Sequence, residues 1–131
     1  MQTPPSGTGR ITVAEAAERT GHHAGAEVAA GRPGGTSVLL DVREPDEWHA
    51  GHVPGAVHLS LTRLCEGVPL PPEAQGRCLV VICRSGNRSR TAVGILSARG
   101  VEAVDVIGGM RDWAEAGLPV VDSRGLRGTV A

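Results

Sequence analysis

Leu79-Val80-Val81-Ile82-Cys83-Arg84-Ser85-Gly86-Asn87-Arg88-Ser89 is the stretch whose reading decides the fold. Cys78 to Ile82 is a short apolar run rich in β-branched residues, the pattern of a buried strand. From Arg88 to Arg99 the period turns helical, with Ala92, Ile95 and Leu96 on one side and Gly100 at the end. A buried strand therefore runs through a cysteine and a polar loop into a helix.

The flanking sequence repeats this alternation. Val38-Leu39-Leu40-Asp41-Val42 and Val104-Asp105-Val106-Ile107 read as two further strands, and Arg10-Ile11 and Ala56-Val57-His58 as brief extended pieces. Thr12-Val13-Ala14-Glu15 is a capping-box pattern that opens a first helix through Arg19, closed by Gly21. Pro45 followed by Asp46 and Glu47 suits the first turn of a short helix through Trp48. Leu61–Leu64 reads as a turn of helix, Val68–Pro72 as a connector, and Met110–Ala116 as a helix closed by Gly117. His22–Ala30 is weakly helical, and Gly31–Gly35 turns the chain. Strands alternating with helices predict an α/β domain with a parallel sheet and right-handed crossovers. Residues 1–9 read as a flexible lead-in, 10–121 as one domain and 122–131 as a tail, with no internal repeat.

The composition narrows the function. The 131 residues carry 13 basic and 14 acidic side chains, a net charge of -1, and every basic residue is Arg. No bulk field is left to hold a polyanion or an acidic membrane, and with no Tyr or Phe and 2 Trp there is no aromatic platform for single-stranded nucleic acid. Cys65, Cys78 and Cys83 form no Cys-x-x-Cys pair and no disulfide framework, which favours a reducing compartment. The N-terminal residues lack the apolar run of a signal peptide, and no window approaches a membrane span. A soluble, cytoplasmic protein is expected.

The chemistry centres on Cys83. In open α/β sheets ligands sit beyond the carboxyl ends of the strands, and Cys83 stands there. Gly86 lets the loop turn its backbone N–H groups inward, the helix that starts near Arg88 adds its positive end, and Arg84, Arg88 and Arg90 add fixed charge. All three effects favour thiolate over thiol and make the sulfur a nucleophile. A cysteine that merely ends a strand needs no anion-binding loop; Cys65 and Cys78 lack one and read as structural. Asp41 and Arg43 end the second strand on the same edge of the sheet, placed to pin the loop by ion pairing. His52 reads as a structural hydrogen-bonding residue, His22 and His23 as solvated, and Trp48 and Trp113 as packing anchors. His49, His52 and His58 have no partner spacing that completes a metal site, so neither metal nor cofactor is expected.

Four blocks together resemble a single-domain rhodanese, in order and spacing. They are Leu39–Trp48, Gly51–Ala56, the loop Cys83–Ser89, and Ile107-Gly108-Gly109 leading to Trp113 and Gly117–Val120. The resemblance spans about residues 10–121. It implies a three-layer α/β/α fold with a five-stranded, mainly parallel sheet, and a sulfurtransferase that carries sulfur as a persulfide on Cys83. The donor would be thiosulfate or a similar small sulfur anion, bound by the loop Arg84, Ser85, Gly86, Asn87 and Arg88. The acceptor would be cyanide, a thiol or a protein.

Three other readings stand beside it: a protein-to-protein persulfide relay, a regulatory module, and a Cys-dependent phosphatase or arsenate reductase. Loop length weighs against the last, because Cys83 to Arg88 is Cys-x4-Arg, one residue short of the Cys-x5-Arg loop that wraps a phosphoryl group. A monomer is expected, since no apolar stripe is left over.

Overall fold

The computed structural model describes residues 9–22 and 37–130. Of the two segments read as weak helix and turn between His22 and Gly35, all but His22 lies outside them, as does the lead-in before Gly9.

Among the described residues, five strands form one sheet: β1 (Arg10–Ile11), β2 (Val38–Asp41), β3 (Val57–His58), β4 (Leu79–Ile82) and β5 (Ala103–Val106). Their spatial order is β1-β5-β4-β2-β3, and every pairing is parallel, not just most of them. Parallel neighbours need crossovers, which run through α1 (Val13–Thr20), α2 (Pro45–Ala50), α3 (Leu61–Cys65) and α4 (Arg88–Ala98), while α5 (Gly109–Glu115) follows the last strand. Among the described residues no helix is long and apolar enough to cross a membrane.

The local chemistry fixes the helix ends. The Thr12 hydroxyl accepts from the Glu15 N–H while the Glu15 carboxylate accepts from the Thr12 N–H, and Gly21 at φ 78° closes α1. Pro45 opens α2, where its missing N–H costs nothing.

Strand parity sorts the core into two layers. Leu40, Leu79, Val81, Cys83 and Ala103 face one side, where Leu64 of α3 and Ala92, Val93 and Leu96 of α4 cover them. Leu39, Val80, Ile82 and Val106 face the other, under Ala16 and Ala17 of α1 and Met110 and Trp113 of α5. The three-layer α/β/α arrangement follows. Central β4, covered on both faces, is uniformly apolar.

The two tryptophans part company. Trp113 is fully buried and donates from Nε1 to the Pro119 carbonyl at 2.9 Å. Trp48 is only half-buried, outside both core layers, and stacks on His52 (centroids 3.7 Å) and His58 (4.7 Å). His22 is buried rather than solvated. Its ring bonds the Thr20 hydroxyl and the Pro54 carbonyl and meets Trp113 edge-on, and burial lowers its pKa.

The stretch read as a tail folds back on the domain. Asp122 N–H bonds Leu126 O, Gly128 N–H bonds Val120 O, and Thr129 N–H bonds Ala50 O. A side chain at Gly51 would collide with the Thr129 backbone, so the two segments meet main chain to main chain. Polar composition hid this hairpin, because backbone bonds carry it.

Candidate active site

Cys83 follows the last residue of β4 and is 1% exposed. Two backbone bonds hold the loop from behind: Met110 N–H to Cys83 O at 2.7 Å and Arg111 N–H to Arg84 O at 3.0 Å. These are first-turn donors of α5 without a partner inside their own helix. The close approach requires Gly109, whose φ is +56° and where a Cβ would overlap the Cys83 carbonyl.

Gly86 at φ +100° turns the loop so that its N–H reaches Cys83 Sγ at 3.1 Å, and Ser89 N–H reaches it at 3.2 Å from the first turn of α4. The inward-facing N–H groups expected from the sequence thus include these two at the sulfur. The Cys83 thiol also donates to Ser89 Oγ at 3.4 Å, and Ser89 Oγ donates to Asp105 Oδ2 at 3.1 Å.

Asp105 and the arginine that holds it, Arg10, have no place in the sequence reading of the site. Asp105 lies within β5, on the sheet face it shares with Val81 and Cys83, and is 2% exposed. Arg10 is its register partner on β1 and grips it from Nε to Oδ1 and Nη2 to Oδ2, both at 3.0 Å. The same Nη2 donates to the Gly86 carbonyl at 3.0 Å, so one guanidinium ties a sheet edge to the tip of the loop. The Asp105 carboxylate raises the Arg10 pKa, and the nearby Cys83 sulfur adds to the rise. A lone carboxylate inside an apolar strand was the available signal, since a buried charge demands a partner.

Arg88, expected as a substrate cation, is held by Glu47 through a two-pronged pair of 2.7 and 2.8 Å. The pair raises the Arg88 pKa and holds the Glu47 carboxyl down at about 2. It braces α2 against the start of α4. Arg84, Ser85 and Asn87 are exposed on the rim of the loop.

Asp41 and Arg43 pair with each other rather than with the Cys83 loop. Both are 0% exposed; Arg43 Nη2 meets Asp41 Oδ2 at 2.8 Å and Gly51 O at 2.6 Å, and Nη1 meets Glu47 O at 3.2 Å. Parity explains the miss: Asp41 registers with Ile82, on the face opposite Cys83. His52 Nδ1 bonds the Trp48 carbonyl at 2.8 Å. Cys65 and Cys78 are exposed; Cys78 donates to Glu102 Oε1 at 3.4 Å, a bond that raises its pKa.

A parallel α/β sheet with a cysteine at the carboxyl end of its central strand, the sulfur seated between loop and helix N–H groups, defines the class. Residues 25–116 match the rhodanese-like domain family, and the chain belongs to it. It is 40% identical over 88 residues to an uncharacterized protein of Synechocystis, covering 66% of this chain and 48% of that one. It is 34% identical over 84 residues to the adenylyltransferase and sulfurtransferase MOCS3-2 of Zea mays, covering 60% of this chain and 17% of the other. The crystal structure of a rhodanese-related protein from Thermoplasma volcanium superposes with a TM-score of 0.58 at 38% identity, over 66% of this chain and 84% of that one. The chain spans about half or less of the length of these two sequence relatives.

Proposed function

We propose that this domain is a sulfurtransferase in which Cys83 carries sulfur between a small anionic donor and a thiophilic acceptor. The observation that carries the reading is the Cys83 sulfur held at a strand end by the N–H groups of Gly86 and Ser89. N–H donors preset around a sulfur favour its anionic forms, thiolate and persulfide alike. With thiosulfate, the Cys83 thiolate attacks the outer sulfur. The new S–S bond forms as the old one breaks, sulfite leaves with the electron pair, and Cys83 holds a persulfide anion. Cyanide or a thiolate then attacks the terminal sulfur and returns the Cys83 thiolate. Exposed Arg84 at the loop rim supplies positive charge for the donor, while Arg88, held by Glu47, stiffens the frame. That MOCS3-2 is named a sulfurtransferase supports the same chemistry here.

The experiment is a thiosulfate-to-cyanide assay on the wild-type chain and on Cys83→Ser. Thiocyanate formation is expected from the wild type, with a loss of at least about a thousandfold in the variant. A variant that kept the wild-type rate would remove the assignment.

A further inference from the structure

We propose that Ser89 is a second catalytic residue, a hydroxyl that turns between two partners as the Cys83 sulfur changes charge. Asp105 and Arg10 are the positioning residues that make the turn possible. The proposal rests on the sulfurtransferase reading for its purpose but not for its physical test.

Ser89 touches the sulfur twice, through its N–H at 3.2 Å and its Oγ at 3.4 Å. A hydroxyl has one proton, so it serves one acceptor at a time. With Cys83 as a thiol, S–H donates to Oγ, and the hydroxyl proton goes to Asp105 Oδ2 at 3.1 Å. When the S–H bond breaks and its proton leaves to water, Oγ loses that donor and the sulfur becomes an anionic acceptor. The hydroxyl then rotates to Sγ as its third donor, beside the N–H groups of Gly86 and Ser89. No covalent bond to Ser89 forms or breaks.

Asp105 keeps the hydroxyl at the sulfur in the neutral state instead of letting it find another acceptor. A bare carboxylate one hydroxyl away from a sulfur anion would oppose ionisation. Arg10 removes that opposition by pairing with both carboxylate oxygens, and it supplies Asp105 with donors when Ser89 turns away. Its third bond, to the Gly86 carbonyl, holds the residue whose N–H faces the sulfur. The Cys83, Ser89, Asp105 and Arg10 side chains thus form one connected path from the reacting atom to the β1 edge of the sheet.

The chain has no Tyr, so with Cys65 and Cys78 changed to Ser the ultraviolet absorbance of thiolate reports Cys83 alone. In that background, Ser89→Ala should move the absorbance rise to higher pH by about one unit, the effect of one lost hydrogen bond to a charged group. Ser89→Thr, which keeps the hydroxyl, should restore most of it, and Arg10→Ala should shift the rise in the same direction as Ser89→Ala. Sulfur transfer by Ser89→Ala should fall at neutral pH and recover as pH rises. A Ser89→Ala curve that overlies its parent, or a rate equally depressed at every pH, would overturn the proposal. Thiosulfate loading of the unmodified chain is scored separately. If no sulfur is taken up, the sulfurtransferase reading fails, while the absorbance titration still decides the role of Ser89.

Discussion

Glu47 keeps its charge deep into the acid range because Arg88 donates to both its oxygens, which holds its carboxyl at about 2 against an ordinary value of 4.5. A depressed carboxyl adds stability above its unfolded value and loses it as pH falls through the folded one. The contribution is therefore complete above about pH 4.5 and gone by about pH 2. Glu47→Gln is expected to cost about 2 kcal/mol at neutral pH and almost nothing at pH 2, allowing for partial solvent screening. Denaturant titrations at the two pH values measure this; a gap that persists in acid would deny the pair its electrostatic role. At the residue scale Cys83 and its loop were legible, because strand, cysteine, glycine and helix are contiguous in the chain. Arg10 and Asp105 were not, because they meet across a strand register that the sequence does not display.

At the scale of elements, α5 positions the loop through its backbone. The Met110 and Arg111 N–H groups bond the Cys83 and Arg84 carbonyls, and Gly109 makes room for them at a positive φ. Gly109→Ala should cost about 2–3 kcal/mol, from left-handed strain plus the displaced loop, and should lower the melting temperature and the sulfur-transfer rate together. Wild-type melting and rate in this variant would show that the loop needs no such support. Helices and long strands were readable from periodicity and caps, with ends off by a residue or two. The direction of Asp41 was not readable, because parity inverts with a single step along a strand.

Over the whole molecule, the ion pair of Asp41 and Arg43 joins the end of β2 to the segment around Gly51, on which the C-terminal hairpin lies. Arg43→Ala strands a buried carboxylate and should cost about 3–5 kcal/mol, a large share of the roughly 5–15 kcal/mol that holds a domain of this kind together. Replacing the pair by Asp41→Leu with Arg43→Met should recover part of that loss; equilibrium unfolding of both variants checks the order. Such a junction was invisible from sequence, because the hairpin carries no apolar pattern and pairs through main chain. The near-neutral composition likewise conceals how the positive charge is placed. Arg10 from β1 and Arg88 from the start of α4 flank the cysteine, each paired with its own carboxylate, and Arg84 stands on the rim.

The most direct test of the account is the mass of the intact chain after a single exposure to thiosulfate, with peptide mapping of the added sulfur and a cyanide chase. One sulfur on Cys83 is predicted, released as an equal amount of thiocyanate and absent from Cys83→Ser. A chain that gains no sulfur, or that carries it on Cys65 or Cys78 regardless of Cys83, would contradict the account.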